Sequence, residues 1–157
     1  MKRLIRVLLL TIMALSMLNG LAAGEVKLIK GQTFYVPCYT SFISGGRSYD
    51  LNATVSLHNT DPHNPINIVR IDFYNTSGKL VAKYLQQPLK LNALAATHIK
   101  VKEPLKGEEG SGAHLIIQWQ AENKVVEPLI ESWFLGSAGT RGYSFVSQAR
   151  IIQEDAN

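Results

Sequence analysis

Across residues 51–58 the chain alternates without a break: Leu51, Ala53, Val55 and Leu57 are apolar, while Asn52, Thr54, Ser56 and His58 are polar. Successive side chains of an extended strand point to opposite faces, so this segment offers one face to a core and the other to water. A helix would scatter the same residues around its circumference. The pattern recurs along the chain. Residues 32–38 place Phe34, Val36 and Cys38 on one side, and residues 66–74 group Val69, Ile71 and Phe73. Residues 113–121 set Leu115, Ile117 and Trp119 against His114, Gln118 and Gln120. Residues 79–85, 97–101, 129–135 and 143–152 are further strand candidates, and no stretch after Gly24 sustains a helical apolar period between caps. The expectation is an all-β domain of seven or eight strands: an antiparallel two-sheet sandwich, immunoglobulin-like in the broad sense, with a small closed barrel as the alternative.

Local chemistry adds detail. Pro37 cannot donate a ladder hydrogen bond and suggests an edge strand. Asn75, Thr76, Ser77 and Gly78 form a turn that predicts a hairpin between residues 66–74 and 79–85. Trp119 and Trp133, both in apolar alternation, are expected in the core.

The N-terminus follows a different rule. Lys2, Arg3 and Arg6 precede an apolar run over residues 7–18, and residues 19–24 supply small residues for cleavage. That order is a secretory signal, and a run of about 12 residues falls short of the roughly 20 that a membrane-spanning helix needs. Residues 1–23 are read as the signal, cut after Ala23 or Gly24. Glu25 stands where a lipoprotein would carry cysteine, so no lipid anchor is expected. The mature protein is therefore read as exported, periplasmic and without a stable membrane anchor, with one domain over 31–152 and a tail over 153–157. Removing the three leader cations from sixteen leaves thirteen against twelve acidic residues. Such a balance provides no field for nucleic acid.

Cys38 is the single cysteine, so no intramolecular disulfide can form, and all three methionines lie in the leader. A buried, inert thiol is the plain reading of Cys38. No histidine follows it closely, which excludes the blue-copper spacing.

The densest polar loop runs over residues 58–64. His58, Asp61 and His63 could approach a metal, while Asp61, His63 and Asn64 could contact a partner. Asn, Thr and Asp before proline are also what a tight turn needs, and this reading is preferred. The glycine-rich stretch 136–142 offers backbone amides beside Thr140 and Arg141 for an anion, or simply connects two strands. Residues 107–112 lack the lysine of a phosphate loop and read as a mobile connection. No nucleophile elbow, zinc-protease helix or cofactor motif is present, and no cofactor is implied. A hydrolase would have to assemble a dispersed set such as His58, Asp61, His63, Ser111 and His114. The leading expectation is instead a non-enzymatic binding module whose partner is another envelope protein, with a metal-binding envelope protein as a further alternative.

Residues 31–37, the turn at 59–62, the stretch from Gly110 through Trp119 to Glu122, and residues 139–147 together resemble a family of exported bacterial proteins known only as a domain of unknown function. The resemblance spans about 31–152. It implies a bacterial source and an envelope location, and it brings no activity, cofactor or catalytic residue. Some members look like lipoproteins, from which this chain departs at Glu25.

Overall fold

The computed structural model describes residues 26–101 and 112–155. The leader with both cleavage positions, and residues 107–111 of the glycine-rich connection, including Ser111, lie outside them. The described residues form twelve strands and no helix: β1 Leu28–Pro37, β2 Ser41–Ser44, β3 Arg47–Asp50, β4 Asn52–His58, β5 Ile66–Tyr74, β6 Leu80–Lys83, β7 Leu89–Leu91, β8 Ala96–Lys100, β9 His114–Val126, β10 Leu129–Ala138, β11 Arg141–Gln148 and β12 Arg150–Glu154. The excess over seven or eight comes mainly from three- and four-residue strands, too short for alternation to announce them.

One sheet runs β12-β1-β9-β5-β6, with β7 also pairing β5; the second runs β11-β10-β4-β8; β2 and β3 form a separate hairpin. All pairings are antiparallel, and no sheet closes into a barrel. The architecture is the two-sheet sandwich. Its core gathers Phe34, Val36, Val55, Leu57, Ile71, Phe73, Leu115, Ile117, Trp119 and Phe134 from both sheets. Ser132 is also fully buried, and its hydroxyl donates to the Pro37 carbonyl at 2.5 Å.

Several expectations are corrected. Strand β1 is internal, flanked by β12 and β9, rather than an edge. Pro37 is tolerated because the β12 register stops at Tyr35 opposite Arg150, so its missing N–H breaks no bond on that side. The single strand expected over 143–152 divides around Ala149, β11 joining one sheet and β12 the other. Part of the expected tail is ordered sheet, Gln153 facing Thr33 and Glu154 facing Gln32. In β5 the apolar face is not Val69, Ile71 and Phe73. Ile66, Ile68, Ile71 and Phe73 are buried, because the register against β9 shifts between Ile68 and Arg70 and leaves Val69 as the extra residue. Trp119 is in the core, but Trp133 stands on the surface at 48% exposure.

The hairpin turn expected at 75–78 is present. Gly78 adopts φ 75°, its N–H donates to the Asn75 carbonyl at 2.9 Å, and Asn75 Oδ1 accepts the N–H groups of Ser77 and Lys79.

Candidate functional site

The loop after β4 is built around two side chains. Asn59 donates through Nδ2 to the carbonyls of Asn64, Leu91 and Asn92, and its Oδ1 accepts the Asp61 N–H. Asp61 is buried. Its Oδ1 accepts the N–H groups of His63 and Asn64 at 2.9 and 2.7 Å, and its Oδ2 accepts the Val126 N–H at 3.1 Å. Burial pushes this carboxyl upward, but those three backbone donors and the Asn64 side-chain amide outweigh it and hold the pKa down at about 2. The Thr60 hydroxyl donates to the Glu127 carbonyl at 2.6 Å, and Asn123 Nδ2 donates to Asn64 Oδ1. Asp61, expected as a binding residue, has its oxygens committed to tying this loop to the β9–β10 connection.

His58, His63 and His114 do not converge. His58 lies on the outer face of the smaller sheet with Nε2 2.7 Å from Ser56 Oγ, His63 is exposed in the turn, and His114 lies on the outer face of the larger sheet. Among the described residues no three His, Cys, Asp or Glu side chains are placed to share a metal ion. Cys38 is buried, and burial pushes its thiol up to about 12.

Thr140 and Arg141 sit at the tip of the β10–β11 hairpin. The ladder continues through Ala138 opposite Arg141, leaving only Gly139 and Thr140 as the turn, with Gly139 at φ 61°. A glycine with positive φ at the first position suits a two-residue hairpin and its strand twist. The stretch is thus mostly paired strand rather than an open loop. This tip and the Asp61 loop lie at opposite ends of β10, since Leu129 faces His58 while Leu135 faces Asn52. Ten residues of strand separate them by about 30 Å.

Two surfaces that the alternation did not single out stand out in the fold. On the smaller sheet, Trp133 and Leu135 of β10 and Val146 of β11 form an exposed apolar group, with Trp133 directly opposite Val146. On the larger sheet, Arg70, Asp72 and Tyr74 point outward from β5. Arg70 Nε donates to Asp72 Oδ2 at 2.6 Å, and Nη2 donates to the Tyr74 hydroxyl at 2.8 Å. The Asp72 hydrogen bond raises the Arg70 pKa further and keeps the guanidinium charged. The Tyr74 ring stacks on His114 at 5.4 Å, and Tyr35 stacks on the same imidazole at 4.5 Å.

Fold and surfaces together define a small antiparallel β-sandwich with an apolar strand face on one side and a charged, aromatic face on the other. The chain belongs to the family described as "Protein of unknown function (DUF3124)", whose model matches residues 31–152. A search of curated proteins found no match. The solved structure titled "Crystal Structure of Thermotoga maritima 1070" is similar at TM-score 0.49 and 12% identity, over 79% of this chain and 97% of that one.

Proposed function

We propose that this protein is a non-enzymatic interaction module of the bacterial envelope, exported by its N-terminal leader, and that it docks a partner protein on the outer face of β10 and β11. The observation that carries this reading is an inversion within β10. Ser132 takes a core position while Trp133 and Leu135 stand 48% and 57% exposed, and Val146 opposite Trp133 is 59% exposed. Folding alone favours the reverse, because burying a large apolar side chain stabilises by about 1.5–3 kcal/mol. Adjacent exposed apolar side chains on one sheet face are what a protein interface uses.

Strand β11 adds a second element. Among the described residues it is terminal in its sheet, and it is eight residues long and free of proline, so one row of its backbone groups can accept an added strand. An extended segment of another envelope protein, laid along β11 with apolar side chains over Trp133 and Val146, fits both features. Export is supported by the cationic and apolar order of residues 1–24.

Crosslinked affinity isolation of the tagged protein from its native envelope, read by mass spectrometry, tests the reading. A stoichiometric partner with the parent protein, lost in the Trp133→Ser, Leu135→Ser double variant, is expected. Recovery as a lone monomer overturns it, and recovery only as a crosslinked homodimer replaces the foreign partner with a second copy.

A further inference from the structure

We propose a second binding site on the opposite sheet: an oxyanion-binding cleft centred on Arg70, taking the carboxylate or phosphate group of a small molecule. It is independent of the β10–β11 surface. The cleft has a volume of about 490 Å³ and is lined by Arg70, Asp72, Tyr74, Lys83 and Gln118 with apolar neighbours that include Val69 and Leu85.

Its origin is a coincidence of two irregularities. The register shift in β5 inserts Val69 between Ile68 and Arg70. Were Val69 paired as a regular strand residue, Arg70 would share the inward face of Ile66 and Ile68; because Val69 is the bulged residue, Arg70 joins Asp72 and Tyr74 outside. Bulges commonly re-aim a side chain in this way. Beside the bulge, the edge of the sheet is broken, because β6 ends at Lys83 and β7 starts at Leu89. The cleft lies next to this break, against Leu80 and Lys83 of β6 and Leu85 just after it.

The guanidinium is oriented before any ligand arrives. Asp72 holds Nε and Tyr74 holds Nη2, so the plane is fixed from one side. Two of the five N–H donors are used. Among the described residues Nη1 has no partner, so both its hydrogens and the second hydrogen of Nη2 remain for a bidentate acceptor. Lys83 faces Asp72 across the β5–β6 pair, and Gln118 faces Arg70 across the β5–β9 pair, adding a cation and an amide donor on the same face. Asp72 offsets one of the two cationic charges, and the excess is positive. The Tyr74–His114–Tyr35 stack continues from the cleft as a shelf for the remainder of a ligand larger than the anion itself.

Calorimetric titration of the full protein in a buffer free of carboxylate, phosphate and sulfate, with sodium phosphate and separately with sodium acetate against sodium chloride at equal ionic strength, tests the site. Saturable binding of either anion, weakened by about tenfold or more in both Arg70→Gln and Lys83→Gln, is expected. The anion that binds tighter identifies the group. Lys83 is exposed, so its variant keeps the test valid if Arg70→Gln unfolds. No saturable heat from either anion in a protein with an intact thermal transition overturns the proposal, as does equal affinity in the parent and Lys83→Gln.

Discussion

Asp61 Oδ2 accepts the backbone N–H of Val126 across 65 residues of sequence, while Oδ1 of the same carboxylate closes its own turn on His63 and Asn64. One side chain therefore fixes both a loop and that loop's attachment to the end of β9. Asp61→Asn places an amide donor among these N–H groups, and a loss of roughly 2 kcal/mol in urea denaturation is expected. The pH dependence has a definite sign. The folded pKa, about 2, lies below the unfolded carboxylate value near 4, so the charged form is the one that folding favours. Its stabilisation is complete above about pH 4 and disappears as pH falls through about 2. An acid limb equally steep in Asp61→Asn and the parent would show that other carboxylates control it.

Cys38 is fully buried and its thiol is pushed up to about 12, so thiolate is scarce at neutral pH and a reagent has no access to it. Native protein should react with a small aromatic disulfide only as fast as it unfolds, whereas urea-unfolded protein should react at once. Rapid stoichiometric labelling without denaturant would contradict the burial.

Gly136 faces Tyr143 across the β10–β11 ladder, and a Cβ at position 136 would overlap the tyrosine ring. That ring packs edge-on against Phe42 at 5.2 Å, and its hydroxyl donates to the Asp50 carbonyl at 3.0 Å, so the β2–β3 hairpin leans on it. Gly136→Ala should cost about 1–3 kcal/mol by displacing the ring. In a Tyr143→Ala background the same substitution should cost much less, and a double-mutant cycle measures the coupling. Additive losses would mean that the cost of the alanine does not come from the tyrosine ring.

The legible parts of this fold are those where neighbours in sequence share one fate. Leu51, Ala53, Val55 and Leu57 are all buried, as their alternation requires, and Asn75 and Gly78 are the turn their chemistry describes. The alternation of Val69, Ile71 and Phe73 already sets Arg70, Asp72 and Tyr74 on the other face; what it hides is that Ile66 and Ile68 are buried with Ile71, because nothing in the residue types marks Val69 as an insertion. In β10 both faces carry apolar residues, Ile130 and Phe134 on one and Leu129, Trp133 and Leu135 on the other, so only the packing partner decides which is inside. The role of Asp61 depends on Val126, whose approach is a property of the assembled sheets.

That ambiguity in β10 gives a direct contrast between adjacent residues. Phe134 is fully buried and stacks on Phe145 at 4.6 Å and Tyr39 at 5.2 Å, whereas Trp133 faces outward. Phe134→Ala should cost about 3–5 kcal/mol through the cavity it leaves. Trp133→Ser should stay within about 0.5 kcal/mol of the parent, because little packing is lost at an exposed position. Fluorescence separates the two tryptophans: acrylamide should quench Trp133 strongly in the native protein, and Trp133→Phe should leave the protected emission of Trp119. A Trp133→Ser penalty comparable to that of Phe134→Ala would assign the exposed ring a structural task and remove the basis for a docking face on β10. A small penalty combined with loss of partner capture would assign its conspicuous exposure to recognition.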